Sequence, residues 1–267
     1  MCLDLDIKRY YGIVVKKQRQ ERRASRLLHR IKNKLKTEYM VFREEVTWAE
    51  YAFWWIVRIV IAWALAKSAF AGDPDGLVMR LSAKLTCTFI LPFLHLLPRK
   101  IFWARLSYRV QTLASVLLFL TAVLGQYKGF YNTVEWYDAY LHVFGCLICV
   151  FMGYELTLAL QRDRQPLTPV VAAISGFGLS FFFAVGWEIF EFLSDSLTGG
   201  NSQNWAFSNS QGLLKFFPAM EPQRYTLLDT MTDLTLGSVG SIVGGVVLFI
   251  ALCRIKRRGK PALSENE

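Results

Sequence analysis

Three acidic clusters at helical spacing carry the chemistry this sequence could do. Asp138 and His142 stand four residues apart, Glu188, Glu191 and Asp195 lie at offsets of three and seven, and Asp229 and Asp233 are four apart. Separations of three, four or seven residues place side chains on one face of an α-helix. The set comprises six carboxylates and one imidazole. Gathered in a space of low dielectric, so many like charges must take up protons or hold a cation. Oxygen ligands with a single imidazole suit Zn, Mn, Fe or Mg, and do not distinguish among them. The expectation is a divalent metal held by Asp138, His142, Glu188 and Asp233. Glu191 is then the general base, with Asp195 and Asp229 supporting the ligands from behind.

The elements that must position these groups are membrane helices. The chain has 267 residues, 53% hydrophobic and 15% aromatic, with 19% charged. Mean hydropathy is +0.28, too apolar for an ordinary soluble domain and opposite to a disordered one. Six stretches approach the roughly 20 apolar residues that a helix needs to cross a bilayer: 51–71, 81–98, 109–126, 138–160, 168–193 and 230–253. Pro92 interrupts the second, but a proline inside a membrane helix kinks it more often than it abolishes it. The first long apolar run begins near Tyr51 behind a charged tail, so no cleavable signal peptide is expected. Five cysteines, four of them in or beside apolar stretches, exclude a secreted disulfide scaffold.

Lysine and arginine placement sets the direction of the spans. With the amino terminus inside, the inner segments hold 24 basic residues and the outer ones four, Arg80, Lys128, Lys215 and Arg224. The expected fold is an all-α polytopic membrane protein with six transmembrane helices and both termini cytoplasmic. It divides into a basic tail at 1–50, a membrane domain at 51–253 and a polar tail at 254–267. The net charge of +10 concentrates at the two ends and in short gaps, which argues against a nucleic-acid surface.

Depth offers an independent test of the acidic set. His142 lies 20 residues from Arg162, Glu188 lies 20 from Thr168, and Asp233 lies 21 from Arg254. At ~1.5 Å per residue, all three sit roughly 30 Å above the inner boundary, near the outer interface. Lys67 and Lys84 are the intramembrane lysines near that level, too few to balance six carboxylates. The competing reading makes Asp138 and Asp229 helix caps. It serves Glu188 and Glu191 poorly, because they stand at a carboxyl-terminal helix end where the macrodipole disfavours anions.

Other residues ask for less. Cys146 and Cys149 have redox spacing but lie in the apolar body of the fourth span, where packing is the better reading. His95 reads as a hydrogen-bonded packing residue, and Arg58 and Glu155 as a cross-helix pair. Gly237, Gly240, Gly244 and Gly245 give the sixth span a small face for close helix approach. In the tail, Leu27, Leu28, Ile31, Leu35 and Tyr39 recur at helical spacing among basic residues. That pattern predicts either a helix on anionic cytoplasmic-leaflet lipids or a solvated tail that sets topology. The outer loop 194–229 mixes glycine and asparagine with Trp205, Phe207, Phe216 and Phe217. It is expected to return to the membrane surface as a lid.

The motifs YDAYLHVFG (137–145), GWEIFEFLSD (186–195) and DTMTDLTLGSVGSIVG (229–244) resemble the YjdF-like family of bacterial inner-membrane proteins, whose function is uncharacterised. More distantly, the order Asp-x3-His, Glu-x2-acidic and Asp-x3-Asp with following glycines is similar to VanZ-like proteins. The likeness covers about residues 85–250 and implies a bacterial plasma-membrane location without a reaction. From the acidic set and the loop above it comes the functional expectation, a metal-dependent hydrolase or transferase acting on a lipid or lipid-linked envelope substrate. A cation- or proton-coupled transporter and a non-catalytic scaffold are the alternatives. The first is disfavoured because transporter sites lie near the midplane between repeats, and no repeat is evident.

Overall fold

The computed structural model describes residues 25–26, 28–29, 31–72, 77–98, 100–161, 165–198, 203 and 222–258, with side chains described except at 91, 198 and 222–226. Most of the expected lid, 199–202 and 204–221, falls outside these residues, as does the start of the basic tail. The chain forms two compact units, up to Thr47 and from Trp48 onward. In the first unit a helix runs over 31–45. Ile31, Leu35 and Tyr39 are exposed along it, as is Leu28 ahead of it.

The second unit has six helices long and apolar enough to cross a membrane. They are α1 (Trp48–Phe70), α2 (Leu77–Leu94), α3 (Tyr108–Tyr127), α4 (Tyr137–Leu160), α5 (Pro169–Thr198) and α6 (Pro222–Arg258). α2 keeps Pro92 within it. α6 begins at Pro222, upstream of the expected span, because the polar turn before Thr230 continues as helix. Asp229 therefore lies inside a helix and is no N-cap. α3 changes at Phe119 from α-helical to π-helical winding, which persists to Tyr127. Leu120 O accepts a hydrogen bond from the Tyr137 hydroxyl of α4 at 3.0 Å.

Two trios of helices make up the unit. α1, α2 and α3 pack around Val57, Ile61, Ala64, Leu81, Ala122 and Val123. Trp54 Nε1 donates to Thr112 Oγ1 at 3.1 Å, and Arg58 Nη2 donates to Thr88 O at 2.9 Å, tying α1 to its neighbours. Arg58 also stacks on Trp55 and Phe89. The expected Arg58–Glu155 pair does not form. Arg109 takes Glu155 instead, at 3.7 Å, because α3 stands next to α4. His95 stacks on Tyr108 with centroids 4.1 Å apart, the packing role expected for it.

α4, α5 and α6 form the tighter trio. Small residues set its spacing. A Cβ at Gly240 would run into Val143 O of α4, and one at Gly153 would meet Leu179 Cβ of α5 at 2.9 Å. At Gly237 it would lie 3.1 Å from Cys146 Sγ, so that thiol is a packing group. Ser180 Oγ of α5 donates to Cys146 O of α4 at 2.7 Å and lies 2.9 Å from Ser241 Oγ of α6. These three buried groups pin the trio one helical turn from His142.

Candidate metal centre

The chain enters α4 through a strained corner. Trp136 has φ 65°, the one positive φ at a non-glycine position among the described residues. A left-handed L-residue costs about 1–2 kcal/mol, so the surrounding packing has to hold it. The corner places Asp138 in the first turn of α4, where free backbone N–H groups favour a carboxylate. His142 follows one turn later, and the glycine contacts of α6 bring Asp233 up to the same level.

His142 Nε2 stands 3.8 Å from Asp138 Oδ1 and 3.7 Å from Asp233 Oδ2. One ligand atom from each of these three residues lies within 4.8 Å of the others. Zinc bonds of about 2.0–2.2 Å to nitrogen and oxygen put neighbouring ligand atoms roughly 3–4 Å apart, so the two measured separations already suit a shared ion. Side-chain exposure falls from 45% at Asp138 to 12% at His142 and 7% at Asp233. The trio thus has an open side and a closed side.

Glu188 lies outside the trio but close to it. It is 5% exposed, and the Thr230 hydroxyl of α6 stands beside its carboxylate at a geometry too loose for a full hydrogen bond. A bare carboxylate so enclosed is costly. Asp138, Asp229, Glu188 and Glu191 all lie near enough to act on Asp233 through their charges. Glu191 accepts a hydrogen bond from Trp187 Nε1 at 2.8 Å, one turn back on its own helix. Asp195 is buried and accepts the Gln203 backbone N–H at 2.9 Å, fastening the chain just beyond α5. Asp229 is half-buried on α6 and acts electrostatically on His142.

Tyr131 is a neighbour that sequence reasoning treated as an interfacial anchor. It lies on a short helix, Phe130–Thr133. Its ring rests against Gly125 of the π-helical segment and edge-on to Tyr137 at 5.5 Å. Desolvation of the hydroxyl, followed by the charge on Asp138, pushes this phenol well above its ordinary pKa, with Glu191 adding to the effect. The group stays protonated, near enough to Asp138 and Glu191 to feel their charges. No local pattern marks it, since the contacts that bring it there come from α3 and α4.

A family model described as a predicted membrane protein, DUF2238, matches residues 52–254, which include every residue of this site. An uncharacterized protein of Thermotoga maritima is 30% identical over 100 residues, or 37% of this chain. The aligned part spans half the length of that relative. No solved structure matches.

Proposed function

We propose, for a chain that belongs to the YjdF-like DUF2238 family of predicted membrane proteins, that α4, α5 and α6 hold a divalent cation for hydrolysis of, or transfer from, a lipid or lipid-linked envelope substrate. The observation that carries this reading is the meeting of Asp138, His142 and Asp233 within 4.8 Å, beside the buried carboxylate of Glu188. Ionisable groups within membrane spans are functional by default. An enclosed carboxylate next to a carboxylate–imidazole trio fits a cation better than it fits a hydrophobic core.

The trio residues and Glu188 would be the ligands. Bound there, a divalent ion supplies a Lewis acid and lowers the pKa of its water. Glu191, oriented by Trp187, is placed to accept a proton as general base. The Tyr131 phenol, kept protonated, donates to an oxygen of the substrate. Asp195 and Asp229 steady the ends of α5 and α6 around these groups. The basic bias of the loops supports an inner amino terminus, with the site in the outer half of a bacterial plasma membrane. It also supports contact of the basic tail with anionic lipids of the inner leaflet.

Purified without chelators, the wild-type protein should retain a divalent ion at near-stoichiometric level by elemental analysis. His142→Ala and Asp233→Asn should lower it to background while leaving a monodisperse, helical protein. Metal-free wild-type protein that also fails to take up Zn, Mn, Fe or Mg on titration would overturn the proposal.

A further inference from the structure

Arg58 is a charge at mid-membrane with no carboxylate to balance it. It stands ten residues into α1 from Trp48, about 15 Å along the helix and so halfway through a ~30 Å hydrocarbon core. It is 6% exposed, and among the described residues it makes no ion pair. A charge at that depth is costly and persists where it has a specific task. Its one hydrogen bond among the described residues runs from Nη2 to Thr88 O of α2, at 2.9 Å. The guanidinium lies 5.2 Å from the Trp55 ring of α1 and 5.1 Å from the Phe89 ring of α2. Two aromatic faces hold a cation in place without neutralising it.

Thr88 O is the carbonyl that α2 cannot satisfy for itself. In an α-helix the N–H four residues further on takes that bond. Here that residue is Pro92, inside the helix, and proline has no N–H to give. Thr88 also turns its hydroxyl back on Leu85 O at 2.7 Å, a local bond of the kind that bends helices. Arg58 therefore supplies from α1 the donor that proline withholds within α2. Neighbouring helices are what satisfy such freed backbone groups where the membrane offers no water.

Pro92 stands where α2 changes company. Before it, Leu81 and Leu85 pack into the core of the first trio with Val57 and Ile61. After it, Leu94 joins a second core with Leu106, Val110 and Ala159, the last belonging to α4. His95 follows and stacks on Tyr108. A helix whose two parts belong to different cores bends most readily where its ladder is already broken. The break thus lies between the first trio and α4, the helix that carries Asp138 and His142.

We propose that Pro92 is a hinge in α2 and that Arg58 is its latch. While Arg58 holds Thr88 O, the end of α2 beyond Pro92 stays in line with the first trio. When that bond opens, this end follows α4, and Leu81 and Leu85 keep their places. The inference involves no metal and goes beyond the function proposed above.

Hydrogen–deuterium exchange on the full chain in nanodiscs of phosphatidylcholine tests it. Arg58→Gln has no side chain long enough to reach the carbonyl. Its exchange over 89–97 should rise about tenfold or more, the scale of one lost hydrogen bond from a charged donor, while 77–87 keeps the wild-type rate. Pro92→Ala returns an N–H to Thr88 O, so adding it to Arg58→Gln should bring 89–97 back to the wild-type rate. If Arg58→Gln alone does not fold, recovery of a monodisperse protein on adding Pro92→Ala takes the place of the rate comparison. An unchanged rate in Arg58→Gln, a rise spread evenly along α2, or a defect that Pro92→Ala does not repair would overturn the inference.

Discussion

At the scale of single residues, Glu188 separates a cation site from a structural acidic face. An enclosed carboxylate beside other acidic groups, with only a loosely held Thr230 hydroxyl against it, destabilises the protein unless something compensates its charge. Glu188→Gln keeps the shape and removes the charge. Without metal, the variant should be more stable than wild type by about 1–3 kcal/mol, because the amide brings no charge among the neighbouring carboxylates. The stability gained on adding metal should shrink. Thermal unfolding in detergent, with and without a chelator, reads both changes. A parallel loss of stability in both conditions would mean that Glu188 is an ordinary packing residue. His142 behaves differently, because its ring nitrogen lies between two carboxylates and its removal strips the trio of its centre.

At the scale of elements, the contact between α4 and α6 brings the trio together. Gly240 packs directly on the Val143 carbonyl, one residue after His142 in the chain. Gly240→Ala forces the helices apart at backbone, where no flexible side chain can yield. Overpacking of this kind costs about 1–3 kcal/mol, and it displaces Asp233 relative to His142. Metal retention in this variant should fall severalfold while helical content by circular dichroism stays at the wild-type level. Gly245→Ala is the contrasting case, since a Cβ there meets Ala173 O and Phe177 Cβ at ordinary contact distance and should leave metal retention unchanged. The π-helical half of α3 plays a second positioning part. Its Leu120 carbonyl fixes Tyr137, and Gly125 seats Tyr131. Extended π winding is uncommon, and here it lies next to the chain that leads into Asp138.

At the scale of the whole molecule, the basic first unit and the membrane unit answer to different forces. The helix over 31–45 exposes Ile31 and Leu35 and carries Lys32, Lys34 and Lys36. Each lysine near an anionic leaflet contributes about 1 kcal/mol. A bimane dye at Leu35→Cys should therefore be buried in nanodiscs containing phosphatidylglycerol and released when those three lysines become glutamine. A dye equally exposed in neutral and anionic discs would leave the tail a solvated topology signal. The charge asymmetry of the loops makes a further claim about direction, which impermeant thiol labelling of cysteines placed near each terminus would read.

Composition and periodicity determined much of this protein by themselves. A bilayer leaves backbone polar groups no partner but their own helix, so apolar runs of sufficient length declare six helices without reference to one another. Helical spacing likewise placed Asp138 with His142, and Asp229 with Asp233, on common faces, because that depends only on the local rise and turn. Equal depth brought three helices to one level. Depth alone does not say which faces meet, and only the tertiary structure decided that. Backbone contact at Gly240 and the Ser180–Ser241 link turned Asp233 toward His142. Arg109 displaced Arg58 from Glu155 through the adjacency of α3 and α4. Tyr131 joined the site across a distance in sequence that no periodicity records. Local rules follow from covalent geometry and solvent, whereas helix rotation and neighbour choice follow from side-chain shape summed over the assembled bundle.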